Sequence, residues 1–178
     1  NVLMMPNVSS VFLIPERIAT SSIMPLLERF TGNAVEPDLS AWRDLAKRQA
    51  TNFPHNVTIG LVAKYLDNED TYLSVLEALK SASWSEGVNL NIKWINAETA
   101  TDEDFAAVDG LLVPGGFGSR GVEGKIAAAR YALESGKPYL GICLGLQVAV
   151  IAAARRAGLE DANSTEFDAA TPHDIVYI

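Results

Sequence analysis

The 178 residues suffice for one domain with a sizeable core, and 48% apolar with 20% charged residues is typical of a folded protein rather than a disordered tail. Lys and Arg number 14 against 22 Asp and Glu, and the resulting net charge of −8 repels phosphate backbones and anionic lipid, so we expect no nucleic acid and no membrane as partners. The single cysteine excludes an intrachain disulfide and deprives a structural zinc site of its usual thiolates, so we expect no metal site and a reducing, cytoplasmic location.

The first part of the chain, residues 1–56, is uneven. Prolines at positions 6, 15, 25, 37 and 54 divide it into short apolar pieces, which argues against long regular structure. One helix is predicted here, with Ser40 as its N-cap and with Trp42 and Leu45 on one face. We expect this segment to be a linker with one helix.

From Val57 onward, strand and helix patterns alternate at short spacing. This alternation is typical of an α/β fold with a mostly parallel central sheet, and the apolar strands indicate that helices cover both faces. The first helix is predicted to turn Leu73, Leu76, Ala78 and Leu79 toward the core. The predicted strands are Val57–Ala63, Val88–Ile95, Gly110–Val113 and Tyr139–Ile142, and the predicted helices are Asp70–Ser83, Thr101–Val108, Val122–Ser135 and Leu144–Ala157.

The run from Pro138 to Ala154 is almost wholly apolar and is followed by two arginines. It is shorter than the ~20 residues that span a bilayer, and it contains a proline and two glycines. We therefore interpret it as a buried strand followed by a buried helix.

The strongest chemical signal is Gly141-Ile142-Cys143-Leu144-Gly145, where the last predicted strand gives way to a helix. A small residue on each side of the cysteine permits the sharp turn of a nucleophile elbow. The helix N-terminus would favour the thiolate form of Cys143 through its dipole and free N–H groups. The alternative is that Cys143 is a small buried apolar residue, as many lone cysteines are.

A glycine-rich loop, Val113–Gly121, follows the third predicted strand. In a parallel sheet such a loop lies at the carboxyl edge, beside the elbow. The backbone of Gly115 and Gly116, together with the N–H of Leu144, is a candidate oxyanion hole. The alternatives are a phosphate-binding or merely flexible loop, although the glycine spacing fits neither the dinucleotide fingerprint nor the P-loop pattern.

Several long strings of residues resemble the glutaminase domain of CTP synthases, which are class I glutamine amidotransferases. The resemblance implies a flavodoxin-like three-layer fold. It implies that residues 1–56 are the end of a synthetase domain and an interdomain linker, and that residues 57–178 are an amidotransferase domain that is incomplete at its C-terminal end. The strings are NVSSVFLIP, PDLSAW, IGLVAKYLDNEDTYLSVLEALK, VPGGFGSRGVEGKIAAARYA, PYLGICLGLQVAVI and GLEDANSTEFD.

The resemblance also implies roles for the site residues. Cys143 would attack the side-chain amide of L-glutamine, form a thioester and expel ammonia. Gly116 and Leu144 would supply the oxyanion donors, Gln147 would contact the bound glutamine, and Glu166 would bind its amino group. Without the resemblance, Gln147 would be interpreted as a core residue and Glu166 as a solvated loop charge.

The same resemblance associates Arg120, Gly121 and Glu123 with activation by GTP. It implies no cofactor in the amidotransferase domain, whereas ATP, UTP and Mg belong to the synthetase domain, which would use the ammonia to convert UTP to CTP. The expected partners are L-glutamine and the synthetase domain of the same chain, in a tetrameric full enzyme.

The sequence departs from the family in one important respect. It lacks the His-Pro-Glu string that supplies the catalytic base, and its only histidines, His55 and His173, are poor candidates for that role. The ending 174–178 also differs from the expected continuation, so we expect a truncated chain or one whose pieces have been joined. We expect such a chain to hydrolyse glutamine poorly or not at all.

Two other functions remain open at this point. A related α/β cysteine hydrolase, such as a peptidase or a chaperone-like protein, would use the same elbow but would need a histidine close to it or elsewhere at the sheet edge. A non-catalytic module would use the sheet and the linker only to assemble a filament or tetramer.

Overall fold

A computed structural model of the chain describes residue 4 and residues 7–32, 36–64 and 69–177; the outermost residues of the two predicted domain ranges, 1–3 and 178, lie outside these. The elements in chain order are a 3-10 helix (Val11–Leu13), α1 (Ile14–Ala19), α2 (Met24–Thr31), α3 (Ser40–Gln49), β1 (His55–Ala63), a 3-10 helix (Glu69–Tyr72), α4 (Leu73–Glu86), β2 (Val88–Asn96), α5 (Asp102–Ala106), β3 (Gly110–Val113), α6 (Val122–Ser135), β4 (Tyr139–Gly141), α7 (Leu144–Arg156), β5 (Ala162–Ser164) and β6 (His173–Val176).

The central sheet has the strand order β2-β1-β3-β4, and every neighbouring pair is parallel. A second, two-stranded parallel sheet is formed by β5 and β6. Because β1, β3 and β4 run in the same direction, the loops that follow them gather at one edge of the sheet. The predicted parallel sheet is confirmed, and this edge is where the two predicted motifs meet.

Helices cover both faces of the sheet, as predicted. On one face, α5, α6 and α7 bury a cluster that includes Val62, Val113, Ile126 and Val148. On the other face, Leu61 and Leu112 pack with residues of the second 3-10 helix and α4, among them Tyr72, Val75, Leu76 and Leu79. At roughly 1.5–3 kcal/mol for each fully buried large apolar side chain, these two clusters are the main source of stability.

The strand β4 departs from the expectation that every strand is covered on both sides. Leu140 is 55% exposed, and Ile142, just after the strand, is exposed too. Leu140 pairs with Leu112 in the register and so lies on the α4 face. Among the described residues, α4 covers β1 and β2 on that face but does not extend over β4, which is the edge strand.

The predicted core-facing side of the first helix of the domain was partly wrong. Leu73 is 53% exposed and Ala78 is exposed, whereas Leu76 and Leu79 pack on the sheet as expected. The helix begins three residues later than predicted because Glu69–Tyr72 forms a 3-10 turn. The inward residues Tyr72, Val75, Leu76 and Leu79 follow the i, i+3, i+4, i+7 spacing of one helical face, and Leu73 and Ala78 lie outside that face.

The N-terminal segment contains more helix than predicted. Among its described residues there are three α-helices, and Pro15 and Pro25 lie in the first turns of α1 and α2. These prolines begin helices because their missing N–H is not needed in a first turn and their fixed φ suits the helix. The ring of Phe12 lies 6.3 Å from that of Trp42 and 5.7 Å from that of Trp84, which joins this segment to α4.

Two predicted helix starts had different outcomes. Ser40 is not the N-cap of α3 but its first residue, because the carboxylate of Asp38 already accepts the Ser40 N–H at 2.9 Å. The predicted cap of α5 is confirmed. The hydroxyl of Thr101 accepts the Asp104 N–H and the Asp104 carboxylate accepts the Thr101 N–H, which forms a capping box. No helix in the described part of the chain has the length and apolar character needed to cross a membrane.

Candidate active site

The turn that carries Cys143 lies between β4 and α7, as predicted. Cys143 has φ 55° and ψ −111°, and it is the only non-glycine residue with positive φ in the described parts of the chain. Its side chain is exposed. A non-glycine residue in this conformation is strained, and such strain is concentrated at functional sites because the surrounding structure has to hold it. The alternative of a small buried apolar cysteine is therefore excluded.

The two glycines that flank Cys143 are required by close packing. A Cβ atom at Gly145 would lie 2.0 Å from the carbonyl oxygen of Val113, at the end of β3. A Cβ atom at Gly141 would lie 2.4 Å from the carbonyl carbon and oxygen of Gly145. The first turn of α7 thus packs closely on β3, and neither Gly141 nor Gly145 could carry a side chain without moving the backbone.

The glycine-rich loop lies directly against the elbow. A Cβ atom at Gly115 would be 3.4 Å from Cβ and 3.9 Å from Sγ of Cys143. At Gly116 the corresponding point is 3.7 Å from Cδ2 of Leu144. The fold therefore brings Gly115, Gly116 and Leu144 to the cysteine from two separate parts of the sequence.

The amides of Gly116 and Leu144 are free to bind a ligand. Neither donates a hydrogen bond to any acceptor in the part of the chain that the structure describes. The next amides of α7 are used within the turn, since the N–H of Gly145 donates to Ile142 at 2.9 Å and that of Gln147 to Cys143 at 3.2 Å. Backbone N–H donors without an acceptor in the described structure, close to a nucleophile, are a precondition for an oxyanion hole.

Gln147 and Glu166 are also placed near the site. Gln147 is half-buried in the first turn of α7. Glu166 follows β5, is exposed, and its Oε1 accepts the Gly118 N–H at 3.4 Å. The glutamate is thereby tied to the rim of the glycine-rich loop.

Arg120 and Glu123 are each engaged with a different element. Nε of Arg120 lies 2.9 Å from Oε1 of Glu98, while Oε2 and Oε1 of Glu123 accept hydrogen bonds from Arg155 of α7 at 2.8 Å and 3.1 Å. Gly121, with φ 75°, is the N-cap of α6. All three residues lie where the loop enters α6, at the same edge of the sheet as Cys143.

Neither of the two histidines lies near the cysteine. His55 begins β1 at the amino edge of the sheet, whereas Cys143 follows β4 at the carboxyl edge. His173 begins β6 beside Ala162, whose carbonyl accepts a hydrogen bond from Arg155 at the far end of α7. At 1.5 Å per residue, that end of α7 is roughly 17 Å from Cys143. No imidazole of this chain accompanies the thiol in the described structure.

Sequence reasoning overlooked a residue that supports the elbow. The hydroxyl of Tyr139, the first residue of β4, donates to the carbonyl oxygen of Gly145 at 2.7 Å. Burial raises the pKa of this hydroxyl well above its usual value, so it stays protonated and remains a donor. The predicted strand offered no signal for this contact, because its partner lies in a helix whose position depends on the elbow itself.

Replacing Tyr139 with phenylalanine should lower the free energy of unfolding by about 1 kcal/mol, the net value of one hydrogen bond. The measurement is urea unfolding of Tyr139→Phe and of the wild type. Tyr177→Phe is the matched control, since this tyrosine is largely exposed and should change stability little. Equal midpoints for wild type and Tyr139→Phe would show that the hydrogen bond does not stabilise the turn.

Comparison with known proteins agrees with this geometry. A family model described as "Glutamine amidotransferase class-I" matches residues 67–173. A curated protein named CTP synthase, from Caldanaerobacter subterraneus subsp. tengcongensis, is 44% identical over 176 residues, or 96% of this chain and 33% of the relative. The chain therefore spans about a third of the length of that curated relative.

A solved structure is similar to this chain in fold and in sequence. It is described as "Trypanosoma brucei CTPS - glutaminase domain with bound acivicin" and matches with a TM-score of 0.65 and 41% identity, over 69% of this chain and 50% of that one. The expected resemblance and the expected fold are confirmed. Since the family model covers more than half of the sequence and the cysteine elbow lies within the matched residues, this chain belongs to the class I glutamine amidotransferase family.

Proposed function

We propose that this chain is the glutamine-hydrolysing part of a CTP synthase. The observation that carries the proposal is the exposed Cys143, which lies on a strained turn at a helix N-terminus with its sulfur beside Gly115 of the glycine-rich loop. An exposed thiol at a helix N-terminus is favoured as the thiolate, which is the nucleophilic form.

In the proposed reaction, the sulfur attacks the side-chain amide carbon of L-glutamine. A sulfur–carbon bond forms and the carbonyl oxygen becomes an oxyanion, which the N–H groups of Gly116 and Leu144 bind. When the carbon–nitrogen bond breaks, nitrogen takes up a proton from solvent water and leaves as ammonia, and a glutamyl thioester remains. Water then cleaves the thioester, releasing glutamate and restoring Cys143.

Two further residues have proposed roles in binding. Gln147, one turn into α7, contacts the bound glutamine, and Glu166 binds its amino group. The position of Glu166 on the rim of the loop supports this assignment, because its carboxylate is exposed and is held only by the Gly118 N–H at 3.4 Å. An ammonium group is a stronger partner for a carboxylate than this long neutral contact.

The ammonia is proposed to pass to a synthetase domain of the same chain, where ATP and Mg drive the amination of UTP to CTP. Residues 1–56 are proposed as the end of that domain and a linker, residues 57–178 as the amidotransferase domain, and Arg120, Gly121 and Glu123 as part of a loop that responds to GTP. We place the full enzyme in the cytoplasm as a homotetramer. The name of the curated relative, and the fact that the chain covers 33% of it, support the presence of a synthetase domain in the full enzyme.

The chain by itself should hydrolyse glutamine slowly. Loss of a general base typically lowers a rate by ~10²–10⁴, and neither histidine lies beside Cys143. This observation also bears on the related cysteine hydrolase, because such an enzyme would need a histidine at the elbow. No feature of the site favours that alternative.

The proposal is tested by the reactivity of Cys143. Iodoacetamide, or a diazo-ketone analogue of glutamine, should label this single cysteine far faster in the folded chain than in the urea-denatured chain, because only the folded chain has the elbow. L-Glutamine should slow the labelling and D-glutamine should not. Equal labelling rates in folded and denatured chains would contradict an activated thiol, and indifference to L-glutamine would contradict the substrate.

A further inference from the structure

Lys125, in the first turns of α6, is among the most buried side chains of the described structure. Only 2% of its surface is exposed. Its Nζ lies 3.3 Å from the point that a Cβ atom at Gly116 would occupy, so the ammonium group packs directly on the backbone of the proposed oxyanion loop. Leu144, which follows the nucleophile, contacts the same point from the other side, with Cδ2 at 3.7 Å.

The Lys125 ammonium has no acidic partner among the residues that the structure describes. It makes no ion pair and no side-chain hydrogen bond with any residue that the structure describes. Burial, and in second place the like charge of Lys64, lower its pKa from the usual value. No buried side-chain nitrogen of the described residues lacks a hydrogen-bond partner, so Nζ of Lys125 keeps some contact with solvent. The rest of the side chain is buried, which is unfavourable for a cation, and an anion formed nearby would offset the effects of burial and of Lys64 on its pKa.

The carboxylates around the loop are committed elsewhere. Glu123 is paired with Arg155, and Glu98 with Arg120. Glu166 reaches the loop at the Gly118 N–H, two residues beyond Gly116. No described acid therefore neutralises Lys125, and the N-terminus of the 14-residue helix α6 adds further positive potential on the same side.

We propose that Lys125 is a positioning residue for glutamine hydrolysis, acting through Gly116. This inference rests on the proposed function. The ammonium group supports the Gly116 backbone so that its N–H stays directed at the site, and its charge lowers the free energy of the anionic sulfur and of the oxyanion. The charge is thus matched to the thiolate of the resting site and to the oxyanion that forms during the reaction.

If Lys125 had a purely structural role, replacing it would lower the unfolding temperature. The proposal predicts a different result. Lys125→Met keeps an unbranched apolar chain of similar length and removes only the charge. Because an unpaired buried charge is unfavourable, this variant should unfold at the same temperature as the wild type or at a higher one. Lys125→Leu, which fills less space, is measured in parallel so that the result does not depend on a single variant.

The decisive readout is the pH profile of Cys143 alkylation by iodoacetamide in the full chain. In Lys125→Met, the pH of half-maximal rate should move upward by about one unit, and labelling at pH 7 should slow by up to about tenfold. Lys80→Met removes the same charge from α4, where Lys80 pairs with Glu77, and should leave the profile unchanged. The other charged or titratable groups around the site, which all variants retain, are Lys64, Arg120, Glu98, Glu123, Glu166 and Tyr139.

Three outcomes would contradict the inference, and the third would also contradict the proposed function. An activated wild-type thiol with the same pH profile in Lys125→Met would overturn the role of Lys125 alone. Lower unfolding temperatures in both variants, with labelling slowed equally at every pH, would show a structural role instead. A wild-type thiol no more reactive than the denatured chain would overturn the proposed function together with this inference.

Discussion

Cys143→Ala in the full-length protein should abolish glutamine-dependent CTP formation and leave ammonia-dependent formation at the wild-type level. Removal of a covalent nucleophile typically costs ~10⁴-fold or more, because the remaining donors cannot form the thioester. Free ammonia bypasses the amidotransferase domain, so the synthetase step should be unaffected. The measurement is the initial rate of CTP formation with saturating glutamine and, separately, with ammonium chloride.

Leu146→Ala is the matched control for this experiment. Leu146 is exposed in the first turn of α7, three residues from the nucleophile, and its loss should leave both activities within about twofold of the wild type. Unchanged use of glutamine by Cys143→Ala would contradict the proposed function and would favour the non-catalytic assembly module. Loss of both activities would show that the substitution had damaged the synthetase step as well.

Gly145→Ala should strongly destabilise the elbow. The added carbon would lie 2.0 Å from the Val113 carbonyl oxygen and 2.9 Å from its carbonyl carbon, and neither backbone atom can move without separating α7 from β3. We expect a loss of about 3 kcal/mol or more in the free energy of unfolding. For a chain of this size, that corresponds to a fall in the unfolding temperature of roughly 10 °C.

Helix propensity predicts the opposite sign for the same substitution. Alanine is favoured over glycine in a helix by about 1 kcal/mol, so an uncrowded helical glycine would gain stability. Leu146→Ala, at the neighbouring exposed position, serves as the control for helix propensity and should change stability by less than about 0.5 kcal/mol. A Gly145→Ala variant that melts within 2 °C of the wild type would show that α7 does not approach β3 as closely as the structure indicates.

The pattern of the chain predicted the sheet, the elbow and the glycine-rich loop because each depends on local information. Apolar runs separated by capped helices indicate parallel strands, and Gly141 and Gly145 on either side of Cys143 indicate a sharp turn. The Thr101 cap was likewise predictable, since its two hydrogen bonds join residues three apart. The roles of Gln147 and Glu166 came from family resemblance alone, and they remain proposals.

Other features depend on contacts between distant residues. The inward face of α4 was mispredicted because it is decided by the packing of Tyr72 and Val75 on the sheet, far along the chain from the strands that they contact. Such contacts leave no periodic signal in the sequence. From the sequence alone, Lys125 would be interpreted as a solvent-exposed helix residue, because its burial against the glycine-rich loop depends on the tertiary structure.

The sequence by itself determined that this chain has a cysteine between two glycines at a strand-to-helix turn and a second glycine pair after the preceding strand. Only the tertiary structure decided that these two segments lie against each other and that Lys125 is buried beside the loop. The same holds for the Gly116 and Leu144 amides and the Lys125 ammonium, which have no partner among the described residues. The reason is physical: a backbone turn is set by neighbouring residues, whereas the electrostatics of a site depend on which distant groups the sheet brings to the same edge.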